Sequence, residues 1–133
     1  MFRSRSDSGF TVAESIRLIC SEVARIASEE TKSGVAPGGL VALAEQISTL
    51  NGLDLQGLMC IPPFLDDPEK VRPYFRELRE LKENLEVQLG KKLPVLSMGM
   101  SHDFEVAIEE GATEVRIGTA LFGTRARPPH PTA

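Results

Sequence analysis

The segment Ser97–Gly123, SMGMSHDFEVAIEEGATEVRIGTALFG, constrains the fold of this chain more than any other stretch. It reads as strand, glycine turn, short helix, strand and second glycine turn. LPVLSMGM opens with Pro94 and the apolar pair Val95 and Leu96, then breaks at Gly99. Ser101 follows as a candidate helix N-cap, with Asp103 in the first turn, where the helix dipole favours an acid. Phe104, Ala107 and Ile108 fall at i, i+3 and i+4 and give that helix one apolar face, which Gly111 ends. Val115, Arg116 and Ile117 then run as a strand that halts at Gly118. In a parallel strand Val115 and Ile117 would face covering helices and Arg116 the inner side, where an arginine is costly to bury without an acceptor. Arg116 is therefore the strongest single candidate for a ligand contact. The structural alternative is an arginine paired with a carboxylate at the barrel mouth. Two such turns, each at the carboxyl end of an apolar strand, are what a half-barrel needs to hold a phosphate through main-chain N–H groups and helix N-termini.

The rest of the chain repeats the βα theme after an atypical beginning. Residues 1–10 read as flexible, and Val12, Ile16, Ile19, Val23 and Ile26 carry the spacing of an amphipathic helix. After the TKSG turn, Pro37 and the periodic Leu40, Leu43, Ala44 and Ile47 mark a helix that stops at Asn51–Gly52. Leu55–Ile61 is an apolar strand ended by Pro62–Pro63. Asp67–Pro68 signals a helix start, Pro73 a kink or restart, and Leu78, Leu81, Leu85 and Leu89 an apolar face running to Gly90. RELRELKEN mixes signs and reads as solvated helix surface. The fold class is α/β: the C-terminal half of a (β/α)8 barrel with three parallel strands and a fourth near residues 22–27. The division expected is an atypical helical segment over 1–24, a half-barrel over 25–125 and a proline-rich flexible tail over 126–133.

These motifs resemble the pyridoxal phosphate homeostasis proteins, single-domain relatives of the alanine racemase N-terminal barrel. EETKSG at Glu29–Gly34, GLMCIPP at Gly57–Pro63, LSMGMSHDFEVAIEEGAT and VRIGTALFG follow the family order over roughly residues 26 to 125. The resemblance implies that pyridoxal 5'-phosphate is the cofactor, its phosphate held by Ser101 and the backbone of Gly118 and Thr119. It places Arg116 near the pyridine nitrogen, where a second positive charge disfavours ring protonation. Met98 and Met100 would line the ring pocket beside Gly99, with gap-filling core as their alternative role. Ser97 is equally a strand residue or a contact. Family members are about twice as long and hold the cofactor's aldehyde through a lysine on their first strand, which has no counterpart here. Of Lys32, Lys70, Lys82, Lys91 and Lys92, only Lys32 in EETKSG matches a family lysine near the site. A solvated loop lysine is its alternative reading. The first 24 residues look foreign to the family, and an alternative start, a truncated gene and a rearranged reading frame all account for that.

Composition narrows the remaining classes. At 133 residues and 41% hydrophobic content the chain supports one modest core. A net charge of −4, no Trp and a single Tyr exclude a basic stripe with a base-stacking platform, so nucleic acid is not an expected partner. No apolar run approaches the length of a membrane span, and no metal is expected from the two isolated cysteines, Cys20 and Cys60, or from His102 and His130. Cysteine usage points to reduced thiols and a cytoplasmic location. His102 reads as an exposed first-turn residue.

Three functions fit this reading: a non-catalytic pyridoxal 5'-phosphate carrier with no catalytic residue, a racemase-like enzyme, and a fragment serving only as an interaction module. The enzyme would need a covalent lysine and an opposed base such as tyrosine, and Tyr74 sits in no motif. A half-barrel also leaves strand edges and an apolar sheet face without partners, which predicts self-association, or closure by the N-terminal helix.

Overall fold

The computed structural model of the chain describes residues 4–5, 11–12 and 34–125. Among them a three-stranded parallel sheet, β3 (Gly57–Met59), β4 (Val95–Met100) and β5 (Glu114–Arg116), runs in the order β3-β4-β5. Helices α1 (Leu40–Ser48), α2 (Arg72–Leu89) and α3 (Phe104–Glu109) connect and cover it, and α4 (Thr119–Phe122) follows β5. This is the expected partial α/β barrel. Two further short strands, β1 (Ser4–Arg5) and β2 (Thr11–Val12), pair antiparallel. Ser4–Arg5 and Val12 therefore depart from the expected flexible start and helix. Thr11–Val12 is a β-branched pair, stiff at χ1 and better suited to a strand. The rest of the expected N-terminal helix, the expected fourth strand near 22–27 and the expected flexible tail lie outside the described residues.

Strand alternation divides the side chains between two faces. Leu58, Cys60, Leu96 and Met98 join Leu40, Ala44, Phe75, Leu78 and Leu85 in the core between sheet and helices. Each large side chain buried there contributes about 1.5–3 kcal/mol. Leu78, Leu81, Leu85 and Leu89 meet this core as their spacing predicts. Pro68 and Pro73 lie in the opening turns of a 3-10 segment, Pro68–Val71, and of α2, where a missing N–H leaves no bond unmade. Asp67 caps the first of these by accepting from Glu69 N at 3.0 Å, and Gly90 ends α2 in the left-handed conformation.

Two expectations about surfaces are corrected. Ile108 does not face the core: Val106 and Ala107 are buried on α3, and Ile108 is 54% exposed. The helix is a turn and a half long and begins at Phe104, so its contact face is set by where β4 and α2 lie rather than by i, i+4 spacing. RELRELKEN is also more than solvated surface. Arg76 and Arg79, with Arg72, converge on the buried carboxylate of Glu110 at 3.1, 3.2 and 3.2 Å. A buried charge demands partners, and α2 supplies three from one face. The Arg76 guanidinium, then that of Arg72, holds the Glu110 carboxyl below the usual carboxylate range against the opposing effect of burial.

Candidate functional site

The carboxyl ends of β4 and β5 are shaped by a one-residue irregularity. Ser97 pairs with Glu114 and Met100 with Arg116, so β4 carries one more residue than β5 over the same span. Gly99 occupies the extra position at φ +96, which glycine alone adopts readily. A Cβ there would lie 2.6 Å from the Ala107 Cβ, so Gly99 also lets α3 pack against the strand. The bulge separates the two methionines. Met98 is fully buried in the helix-side core, whereas Met100 is 44% exposed at the mouth. Met98 is thus core rather than a pocket residue, and Gly99 acts through backbone shape and packing.

Beyond the bulge, Ser101 does not cap α3. Asp103 precedes that helix and its Oδ1 accepts from Met100 N at 2.7 Å, tightening the turn. The Ser101 Oγ instead accepts from Gly118 N and Ala120 N, both at 3.1 Å, across the gap between the two glycine turns. With both lone pairs engaged, its remaining capacity is as a donor. Among the described residues, and apart from its chain neighbours, a Cβ at Gly118 would meet no protein atom within 4 Å, so these residues leave the space before it open. Ser101, Gly118 and Thr119, far apart in sequence, therefore share one cavity of about 530 Å³ with Phe64, Met100, His102 and Arg116. Main-chain donors, a hydroxyl and a guanidinium around such a space have the chemistry of a phosphate-ester cradle.

Arg116 lies across the inner face of the sheet. Its guanidinium donates to Ser97 Oγ and to the Cys60 carbonyl, each at 2.8 Å, tying all three strands together. Among the described residues, these neutral acceptors offset its burial. Ser97 is consequently both a strand residue and a contact, but of Arg116. Inner-face residues Met59 and Ser97 are only 4% and 5% exposed, so the apolar inner face expected to be open is not open there. Exposed apolar side chains lie instead at the strand carboxyl ends, at Phe64, Met100, Leu121 and Phe122.

His102 is exposed, as expected, but not idle. Its Nε2 lies 3.1 Å from the carbonyls of Leu65 and of Asp66, and its ring centroid is 4.9 Å from that of Phe64. Sequence reading passed over Phe64, although an aromatic directly after Pro62–Pro63 at a strand's carboxyl end was a legible signal. Lys32 lies outside the described residues. None of the described lysines, Lys70, Lys82, Lys91 and Lys92, lines the cavity, and Tyr74 packs against the helix-side core. No group of three or more metal-ligating side chains occurs among the described residues, and no helix among them is long and apolar enough to cross a membrane.

With this geometry in view, the match to known proteins is direct. The sequence profile of the alanine racemase N-terminal domain matches residues 25–126. The chain belongs to that family. A pyridoxal phosphate homeostasis protein of Aquifex aeolicus is 60% identical over 100 residues, which are 75% of this chain and 44% of that protein. One of Pseudomonas aeruginosa is 50% identical over 107 residues, 80% of this chain and 44% of the relative. The chain of this alanine racemase N-terminal domain protein thus spans less than half the length of these relatives. The solved structure of PipY from Synechococcus elongatus with PLP bound superposes with a TM-score of 0.65 at 33% identity, covering 80% of this chain and 48% of PipY. PipY without PLP superposes with a TM-score of 0.68 at 34% identity.

Proposed function

We propose that this chain binds pyridoxal 5'-phosphate as a non-catalytic carrier of the homeostasis type. The observation that carries the reading is Ser101 bridging the Gly118 and Ala120 amides beside Arg116 in one cavity. The naming of its relatives and the PLP-bound PipY structure support the choice of cofactor. Bound there, pyridoxal 5'-phosphate supplies an electrophilic aldehyde and an electron-accepting ring. The chain's own residues would supply binding: the Ser101 hydroxyl and the Thr119 backbone would hold the phosphate, joined by the Gly118 N–H once it leaves the Ser101 Oγ, and Arg116 would lie by the ring nitrogen. An arginine there disfavours a protonated ring, which weakens the electron sink and suits a carrier. Ser97 and the Cys60 carbonyl keep the guanidinium in place.

A racemase role is disfavoured because neither Tyr74 nor any described lysine lines the cavity. Lys32 is the residue we assign to any covalent attachment, through its match to EETKSG. Without one, affinity rests on the phosphate contacts and Arg116 and is weak. We further infer self-association through the apolar side chains at the strand carboxyl ends, of which Leu121 and Phe122 are 72% and 86% exposed. Cysteine usage supports a cytoplasmic setting, and residues 25–125 are the unit we assign to binding.

The test is an absorbance titration with pyridoxal 5'-phosphate, followed by borohydride reduction and peptide mapping. Saturable binding lost in Ser101→Ala supports the carrier; label on Lys32 adds covalent attachment. No binding by the wild-type chain overturns the reading and leaves the interaction-module alternative.

A further inference from the structure

Phe64 is a large apolar side chain held out at 74% exposure, an arrangement that normally costs the fold the benefit of burying it. It is nevertheless positioned by specific contacts. Pro62 and Pro63 fix the backbone leading to it. The His102 ring stands 4.9 Å from it, centroid to centroid, tilted by 34°. His102 Nε2 makes two 3.1 Å contacts, to Leu65 O and Asp66 O. Carbonyl oxygens only accept, so Nε2 carries the hydrogen and shares it between them. The loop that carries Phe64 is thereby tied to the turn that carries Ser101. Both rings line the same cavity as Arg116, Gly118 and Thr119.

From this we propose that Phe64, held by His102, is the ring wall of the cavity and selects phosphate esters that carry a flat heteroaromatic ring. The inference rests on the cofactor reading above and adds to it the residues that discriminate among phosphates. The Ser101 side of the cavity answers any phosphate ester alike. An aromatic face gives extra contact only to a ligand with a face of its own, in an offset or tilted arrangement. Because His102 and the two prolines hold the loop before binding, little ordering cost offsets that contact. His102 acts through the loop and is a positioning residue; Phe64 touches the ligand.

Calorimetric titration with three probes tests this: pyridoxine 5'-phosphate, which has the ring but no aldehyde, ribose 5-phosphate and inorganic phosphate. The wild-type chain should prefer pyridoxine 5'-phosphate over ribose 5-phosphate by about tenfold, on the order of one aromatic contact. Phe64→Ala should abolish that preference while leaving the ribose ester and inorganic phosphate within about twofold of wild type. His102→Ala should lose most of it, and His102→Gln, whose amide donates to the same carbonyls, should restore it. Phe64 and His102 are both exposed, and circular dichroism checks that the variants fold. If Phe64→Ala weakens all three probes equally, or leaves the preference intact, the proposal is wrong while the cofactor reading stands. If the wild-type chain binds none of the three, both are wrong.

Discussion

The Glu110 clasp gives a stability prediction that can be worked from geometry. Its side chain is 6% exposed, and three guanidiniums lie within 3.2 Å of its oxygens. Glu110→Gln keeps the shape and removes the charge, leaving three arginines facing a neutral amide. Removing one partner of a fully buried pair costs about 3–5 kcal/mol. Here Arg72, Arg76 and Arg79 retain 23%, 52% and 35% side-chain exposure, so water hydrates them in part. Arg72 also keeps Glu69 at 2.8 Å and Glu109 at 2.5 Å. The expected loss is therefore below that range, about 2–3 kcal/mol at pH 7. The pH dependence follows from the direction of the Glu110 shift. Its carboxyl titrates below its ordinary value in the folded chain, chiefly because of the Arg76 guanidinium. The stabilisation is present in full above the unfolded value and is lost as pH falls through the folded one. Urea unfolding followed by far-ultraviolet circular dichroism at fixed protein concentration should show the gap between wild type and Glu110→Gln wide at pH 7. It should narrow steadily below about pH 4. A gap within about 0.5 kcal/mol at pH 7, the range of ordinary surface changes, would refute the clasp. So would a gap independent of pH.

Other expectations follow from the same contacts. Gly99→Ala places a Cβ 2.6 Å from that of Ala107 at a φ of +96, so α3 must move; thermal unfolding should show a loss of at least about 2 kcal/mol. Arg116→Ala removes bonds to Ser97 and Cys60 and should cost about 2 kcal/mol in addition to weakening cofactor binding. Arg116→Lys should recover little of either, since one ammonium cannot reproduce the fork, and full recovery in both assays would count against the three-strand clamp. Sedimentation should show dimers or larger species that dissociate in Phe122→Ser, whereas a well-folded wild-type monomer at micromolar concentration removes the self-association proposal.

Much of the fold was legible because local chemistry and periodicity agreed with it. Asp67–Pro68 announced a capped helix start, Gly90 and Gly111 two helix ends, and the leucine spacing of α2 its buried face. Those signals depend on residues within one turn or one strand of each other, so no tertiary information is needed to read them. Ser101, Arg116, Gly118 and Thr119 could be singled out on the same basis, through turns that bracket strand ends and the family motifs around them. Their roles could not. Whether Ser101 caps α3 or bridges to the Gly118 and Ala120 amides depends on how two loops meet in space. Which methionine is core depends on one bulge that flips the alternation after Met98. The fate of Glu110 depends on α2 and α3 packing side by side, which turns a run that looks solvated into a ligand set for a buried charge. Residue identities determined where this chain turns and what each element must bury. Only tertiary packing decided which polar groups find one another, because partners 17 to 56 residues apart are chosen by distance in the folded chain.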